Sequence, residues 1–346
     1  MPLLTPTPRR SPAYALALAA MVLLPAGAAL AQAPNEPLPL RRVGTIELPG
    51  PKGQRFDYLT VDADGRRLFS AHLSASQTYV IDLASESVTH TIADTPGVEG
   101  LAYVGSQKKL FTANSSGNTV GVVDLATMKV VKKVPTESKP DGIAYAPSAN
   151  KVYVVNERAR SVSAIDTRSD TTVATIRFDS ETGVPGYDAG LNLVFVNLQD
   201  KNELAAIDPA SDKTVGRYPI AGCLGNHGMD IDQAHHLAFI ACLKNSRFVV
   251  FDLQAKSVLA SFPLPLGADI VAFDAGLGRA YVPCAIGSIA VFQMDDPAHF
   301  RALPAVKAEP FIHTAAVDPV THRLYVPEQQ EGGTSVARMA VFEAVR

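Results

Sequence analysis

The chain is a succession of short segments in which apolar and polar residues alternate. In the stretch 142–178, the segments GIAYAP, KVYVVN, SVSAID and TTVATIRF follow one another with polar turns between them. Alternation with enrichment in Val, Ile, Thr and aromatic residues is typical of β-strands joined by hairpin turns. No window of helical length after residue 40 keeps a 3.6-residue period. The pattern therefore predicts an all-β protein built from four-stranded units.

An aromatic residue recurs in the second strand of every unit, at spacings of 42, 42, 42, 44, 42 and 44 residues. These residues are Phe69, Phe111, Tyr153, Phe195, Phe239, Tyr281 and Tyr325. An aspartate ends the third strand of the first five units, at Asp82, Asp124, Asp166, Asp208 and Asp252. Seven four-stranded units without helices predict a seven-bladed β-propeller, in which radial repetition leaves only short sheet edges.

The two ends of the repeat array predict how the ring closes. The seventh unit is one strand short, and the segment VGTIELP (43–49) has the pattern of an outermost strand but no unit of its own. Pairing this N-terminal strand into the last blade would satisfy its backbone and close the ring. The propeller is thus expected over residues 43–346. Its fourth unit is irregular, because residues 184–193 are glycine-rich where an inner strand is expected.

The first 31 residues have the pattern of a secretory signal peptide. Arg9 and Arg10 precede an apolar run that ends in Ala29-Leu30-Ala31, so cleavage is expected after Ala31. Pro25 and Gly27 interrupt the run, which argues against a membrane anchor. Residues 32–42 are expected to form a linker. The protein should be periplasmic or secreted, with no membrane span after cleavage and with the export route, Sec or twin-arginine, left open.

Composition limits the possible partners. The chain is 47% hydrophobic and 19% charged, which excludes disorder, and its formal net charge is −3. No basic stripe is present and Trp is absent, so a nucleic acid partner is not expected. Neither a phosphate-binding loop nor a G-x-S-x-G nucleophile motif occurs.

The repeat also predicts which residues meet at one mouth of the central channel. Twelve positions before each aromatic, at the start of the inner strand, stand Asp57, Glu99, Asp141, Gly183, His227, Asp269 and His313. Three positions after it stand His72, Asn114, Asn156, Leu198, Cys242, Cys284 and Glu328. Carboxylates that converge on a narrow mouth repel one another unless a cation, a proton or a basic ligand neutralises them. The alternative is that each acid is a turn residue that faces water.

From these two rings we predict a ligand-binding set, comprising Asp57, Glu99, Asp141, Asp269, Asn114 and Asn156. Imidazole and carboxylate groups suit a divalent metal such as Zn²⁺, Mn²⁺ or Fe²⁺. The predicted metal ligands are His72, His227, His313, Asp269 and Glu328. His227 and His313 could instead act as catalytic acid and base without a metal.

Three cysteines allow several arrangements. Cys242 and Cys284 occupy the same repeat position in neighbouring blades, so a disulfide between them is predicted. Cys223 precedes His227 and is an alternative partner for Cys242. Buried thiols or a metal site are the remaining possibilities.

The third unit resembles the repeat of the YVTN-repeat, YncE-like family of seven-bladed propellers. The resemblance rests on Pro140-Asp141-Gly142-Ile143-Ala144, on Tyr153-Val154-Val155-Asn156 and on Ala164-Ile165-Asp166. It extends more loosely over residues 43–346. The resemblance implies the propeller fold but specifies function poorly, because related scaffolds include 6-phosphogluconolactonase-like enzymes and many members have no assigned activity.

Together these features predict an exported, YncE-like monomer that binds a metal ion or a small polar ligand at the channel mouth. Two alternatives are a metal-dependent hydrolase or lyase of lactonase type and a protein-interaction scaffold without catalysis. The sequence leaves open whether the protein is an enzyme, which ligand it binds and whether a divalent metal is its cofactor.

Overall fold

The computed structural model describes residues 37–345, which form seven four-stranded antiparallel sheets and contain no α-helix. The predicted all-β, seven-bladed propeller is confirmed. The outermost strand of the last blade is β1 (Leu40–Glu47), and the other strands follow in chain order.

The first three blades are consecutive in the chain. Blade 1 contains β2 (Leu59–Asp62), β3 (Arg67–His72), β4 (Gln77–Asp82) and β5 (Ser87–Ile92). Blade 2 contains β6 (Val98–Val104), β7 (Lys109–Asn114), β8 (Thr119–Asp124) and β9 (Lys129–Pro135). Blade 3 contains β10 (Pro140–Ala146), β11 (Lys151–Asn156), β12 (Ser161–Asp166) and β13 (Thr171–Arg177). Two short 3₁₀ turns, Leu73–Ala75 and Gly105–Gln107, link strands in blades 1 and 2.

The remaining blades repeat this order. Blade 4 contains β14 (Thr182–Asp188), β15 (Leu193–Leu198), β16 (Glu203–Asp208) and β17 (Lys213–Pro219). Blade 5 contains β18 (Asn226–Asp232), β19 (Leu237–Cys242), β20 (Arg247–Asp252) and β21 (Ser257–Pro263). Blade 6 contains β22 (Ala272–Asp274), β23 (Arg279–Cys284), β24 (Ser288–Asp296) and β25 (His299–Lys307). Blade 7 contains β26 (Ala316–Val317), β27 (Arg323–Glu331), β28 (Thr334–Ala344) and β1.

The recurring aspartates shape the turns between the third and fourth strands. Oδ1 of Asp82 accepts hydrogen bonds from the backbone N–H groups of Ala84 and Ser85, and Asp166 and Asp252 make the same pair of contacts in their own units. An Asp side chain favours such turns because it satisfies backbone donors locally. These aspartates therefore build the repeat and belong to no site.

The hydrophobic core lies between the blades. Seven clusters of buried apolar residues each span two neighbouring sheets, and the seven repeat aromatics are at most 1% exposed. Burial of one such ring stabilises the fold by about 2–3 kcal/mol. The ring of blades is thus held together by the residues that carry the repeat.

The N-terminal strand closes the ring, as predicted. Strand β1 pairs antiparallel with β28 from Leu40 opposite Ala344 to Glu47 opposite Arg338, and it begins three residues before the predicted start at 43. The guanidinium of Arg42 also donates to both carboxylate oxygens of Glu328 in β27, at 3.0 Å each. Inner strands β2 and β26 contact each other, so blades 1 and 7 are neighbours.

The fourth blade is regular. Its inner strand β14 pairs with β15 like the equivalent strands of blades 3 and 5. A Cβ atom at Gly186 would lie 2.7 Å from Ile231 of blade 5. The glycine-rich sequence therefore reflects close packing of two blades and not a broken strand.

At the channel end opposite the predicted site, charged pairs connect neighbouring blades. Arg66 donates to Asp318 at 2.6 Å, joining blades 1 and 7. His236 lies 2.9 Å from Asp188, which joins blades 5 and 4. These acids are structural.

The predicted signal peptide, residues 1–31, lies outside the described residues. Over 37–345, no helix is long and apolar enough to cross a membrane.

Candidate ligand-binding site

Most of the predicted first ring converges at the mouth where the inner strands begin. Asp57, Glu99, Asp141 and His227 are 3%, 6%, 5% and 8% exposed, and together with Asp269 they line one cavity of about 220 Å³. We call this the acidic cavity; its other lining residues are Arg55, Tyr58, Lys139, Glu157, Gln199 and Leu243. The predicted convergence of acids from blades 1, 2, 3 and 6 is therefore present.

His313 faces a second cavity at the same mouth. This cavity of about 370 Å³ is lined by Arg55, Leu243, Gly267, Ala268, Asp269, Ala285, Phe311, His313 and Gln329, and we call it the apolar cavity. Arg55, Leu243 and Asp269 line both cavities, so the two adjoin. Burial lowers the pKa of His313 and the nearby Arg55 guanidinium lowers it further, against the opposing effect of the Asp269 carboxylate.

Two cations in the acidic cavity were missed by the sequence analysis. Nη2 of Arg55 lies 3.5 Å from Asp57 and 3.8 Å from Asp269, while Nζ of Lys139 lies 3.9 Å from Asp141 and is hydrogen-bonded to Glu157. Arg55 and Lys139 share one repeat position, two residues before the first ring. Inspection of that position would have found them.

Burial and mutual repulsion favour the neutral form of two acids. Burial, together with the neighbouring carboxylate of Asp141, raises the pKa of Asp57 well above its usual range and that of Glu99 to about 8. At neutral pH the Glu99 carboxyl group therefore carries a proton in the folded protein.

Several polar atoms at this mouth have no hydrogen-bond partner among residues 37–345. They are Oδ1 of Asp141, the hydroxyl of Tyr58, Nε2 of His313 and Nδ1 of His227. Asp141 is 5% exposed and shares a hydrogen bond with the Glu99 carboxyl group, so the proton on Glu99 lowers the energetic cost of burying this acid. These atoms are shielded from solvent, so they are buried polar groups within the walls of the cavities.

His227 is held beside a carboxylate. Its Nε2 lies 3.2 Å from Oδ1 of Asp269, close enough for an ion pair but not aligned as a hydrogen bond. The ring packs against the neighbouring blade at Gly183, where an added Cβ would lie 3.1 Å from its Nδ1. The glycine in the first ring therefore makes room for the imidazole.

The predicted second ring does not line either cavity. His72 is fully buried, stacks on Phe56 with ring centroids 4.0 Å apart, and has a hydrogen bond to Tyr79; burial lowers its pKa to about 4. Asn114 accepts a hydrogen bond from Thr112, and Asn156 donates to Ser161 and Ser163 within its own blade. Glu328 is bound to Arg42. The sequence predicted that these four residues contact a ligand or a metal. In the structure, their contacts are with other residues of the protein.

The next residue along the chain faces the mouth instead. Glu157, Gln199, Leu243, Ala285 and Gln329, each four positions after the repeat aromatic, line the two cavities.

The five predicted metal ligands do not form a site. His72 and Glu328 are engaged elsewhere, as described above. Within the range 37–345, no group of three His, Cys, Asp or Glu side chains is arranged to hold a metal ion.

The predicted disulfide between Cys242 and Cys284 is wrong. Cys223 pairs with Cys242 instead, with Cα atoms 5.4 Å apart, and Cys284 is a buried free thiol. The loop that contains Cys223 leads into β18, whose first residue Asn226 is opposite Cys242. The course of this loop therefore brings Cys223 next to Cys242.

Comparison with known proteins supports the fold only. No protein-family model matches the chain, and no curated protein matches its sequence. Solved structures do match it: the WD40 repeats of RRP9 (TM-score 0.73, 12% identity, covering 89% of this chain and 97% of that one) and Kuenenia stuttgartiensis hydrazine synthase (TM-score 0.70, 15% identity, covering 81% and 94%). A chain of the mitotic checkpoint complex is similar at a TM-score of 0.75 and 8% identity, covering 91% and 95%. At such identities the likeness shows a shared propeller architecture.

Proposed function

We propose that this chain is an exported, YncE-like propeller that binds a small polar ligand carrying a positive charge at the acidic cavity. The observation that carries the proposal is the set of buried acids Asp57, Glu99 and Asp141, which line one cavity and are at most 6% exposed. A ligand ammonium group would donate to these carboxyl groups and compensate the buried charge.

The charge balance of the acidic cavity supports a cationic ligand. Carboxylates outnumber cations there: Asp57, Glu99, Asp141, Glu157 and Asp269 face only Arg55 and Lys139. Lys139 is already hydrogen-bonded to Glu157, and Arg55 is 3.5 Å or more from its two acids. A bound cation would take the place of the proton on Glu99.

The volumes of the two cavities suit a small molecule. They are about 220 and 370 Å³, and sites for drug-sized ligands are typically about 300–1,000 Å³.

Export and family membership form part of the same proposal. A disulfide such as Cys223–Cys242 is typical of proteins outside the cytosol, which supports the signal peptide predicted at residues 1–31. The Tyr153-Val154-Val155-Asn156 motif lies on β11, the second strand of its blade, and supports the YncE-like assignment.

Thermal shift and calorimetry with simple cations test the proposal. We expect methylammonium to raise the Tm of the wild type, and Mn²⁺ and Zn²⁺ serve as metal probes. The Asp141→Asn variant should lose the shift, whereas the exposed Asp94→Asn variant, which alters an acid outside both cavities, should keep it. A wild type that responds to no cation, or three proteins that respond equally, would contradict the proposal.

The contact between His227 and Asp269 favours a second candidate, a hydrolase of lactonase type. An imidazole and a carboxyl group 3.2 Å apart are a pair of groups that general acid–base catalysis can use. We expect hydrolysis of a lactone or ester panel to be lost in His227→Gln and retained in His235→Gln, whose imidazole pairs with Asp232 at the opposite mouth. His313→Gln tests the other predicted catalytic residue, which lies in the apolar cavity. Equal turnover by all variants would exclude this candidate.

A further inference from the structure

The apolar cavity has no role in binding a bare cation. Its walls include Leu243, Ala268, Ala285 and Phe311, and the Phe311 side chain is 53% exposed. Beside it, Leu266 and Ile286 are 67% and 62% exposed on the loops that precede Gly267 and follow Ala285. Apolar surface concentrated at one part of the mouth indicates contact with an apolar group.

The backbone conformation of Phe311 is unfavourable for a bulky residue. Its φ angle is +69°, in the left-handed region. The same repeat position has a positive φ in four other blades, where it is occupied by Gly97, Gly225 and Gly267 (+63°, +66° and +77°) and by Lys139 (+59°). A bulky residue in this region is strained by roughly 1–2 kcal/mol. Because more than half of the ring is exposed, burial in the core does not offset that strain. Packing within the fold therefore gives no reason for an aromatic ring at this place.

The two cavities share Arg55, Leu243 and Asp269, so one molecule can occupy both. We infer that the ligand is an amphipathic amine, whose ammonium group lies among Asp57, Glu99 and Asp141 and whose aromatic or branched apolar group lies against Phe311 and Leu243. The inference rests on the proposed function, since it assigns the cationic end to the acidic cavity. The adjoining acidic and apolar walls match the two ends of such a molecule in charge and in polarity.

Calorimetric titration with a pair of probes tests the inference. The probes are methylammonium, which has no apolar group, and 2-phenylethylammonium, which has one. We expect 2-phenylethylammonium to bind about tenfold or more tightly, because its ring leaves water in the apolar cavity. If the two amines bind equally, this inference fails while the proposed function stands. If neither binds, both fail.

Substitution of Phe311 separates ligand binding from folding. Phe311→Gly removes the ring and relieves the left-handed backbone, so we expect a Tm at or above that of the wild type together with a ratio of the two affinities close to one. Ile286→Ser is the control: it removes an exposed apolar side chain that lines neither cavity, and the ratio should match the wild type. A Phe311→Gly variant that keeps the tenfold ratio would overturn the inference. A wild-type dimer in sedimentation velocity that Phe311→Gly dissociates would assign the apolar cavity to a second copy of the chain and would also overturn it.

Discussion

The substitution Glu99→Gln tests whether the Glu99 carboxyl group is protonated in the folded protein. Burial and the Asp141 carboxylate raise the pKa of Glu99 from its ordinary value of 4.5 to about 8, and the residue is 6% exposed. Between these two pH values the folded protein holds a proton that the unfolded chain has lost. The contribution of Glu99 to stability therefore falls as the pH rises through this interval. Gln is similar in shape and has no proton to lose.

The expected change in the free energy of unfolding follows from the shift in the pKa of Glu99. The free energy of unfolding of Glu99→Gln should rise relative to that of the wild type by about 1.4 kcal/mol per pH unit, on the order of 4 kcal/mol between pH 5 and pH 8. Urea denaturation at pH 5, 6, 7, 8 and 9 measures the difference, which should level off above pH 8. Taking the difference cancels the contributions of groups that titrate equally in both proteins, such as His72 and His313.

Glu47→Gln provides the control, because Glu47 is exposed on β1 and lies outside both cavities. The difference in the free energy of unfolding between Glu47→Gln and the wild type should not vary over this pH range. If Glu99→Gln gives a difference as flat as the control, Glu99 is ionised in the folded protein and the reasoning from burial and repulsion is wrong.

Three further predictions concern the scaffold. Arg42→Ala leaves its carboxylate partner in β27 buried and should lower the free energy of unfolding by about 3 kcal/mol in chemical denaturation, whereas Arg41→Ala, which breaks an exposed pair, should cost less than about 1 kcal/mol. Equal losses would show that the contact does not close the ring. Cys223→Ser should lower stability by roughly 3 kcal/mol and remove the effect of reductant on the Tm, whereas Cys284→Ser should still respond to reductant. The exported protein should begin at Gln32 by intact mass spectrometry, and an uncleaved N-terminus would contradict the predicted signal peptide.

The fold could be predicted from the sequence because every unit places the same types of residue at the same structural positions. The same aromatic fills the same space between blades, and the same Asp shapes the same turn, as Tyr153 and Asp166 show in blade 3. Ring closure followed from counting strands, and the structure places β1 beside β28 accordingly.

The site could be predicted only in part. The first ring was found because its residues begin the inner strands and point into the mouth. The second ring was wrong by one residue: successive side chains near a strand end point to opposite sides, so position 156 is buried in the blade while Glu157 faces the cavity. The ion pair of Arg42 with Glu328 and the left-handed φ of Phe311 depend on tertiary geometry that a repeat alignment does not contain.

Proton linkage of ligand binding tests whether a cationic ligand displaces the proton of Glu99 in the acidic cavity. Calorimetric titration of the wild type with 2-phenylethylammonium at pH 7, in buffers of different ionisation enthalpy, counts the protons that binding releases. We expect release of close to one proton per ligand, because the ammonium group replaces the proton held by Glu99. The Glu99→Gln variant should release none. Binding with no proton released by the wild type, or with the same release from the variant, would contradict this expectation.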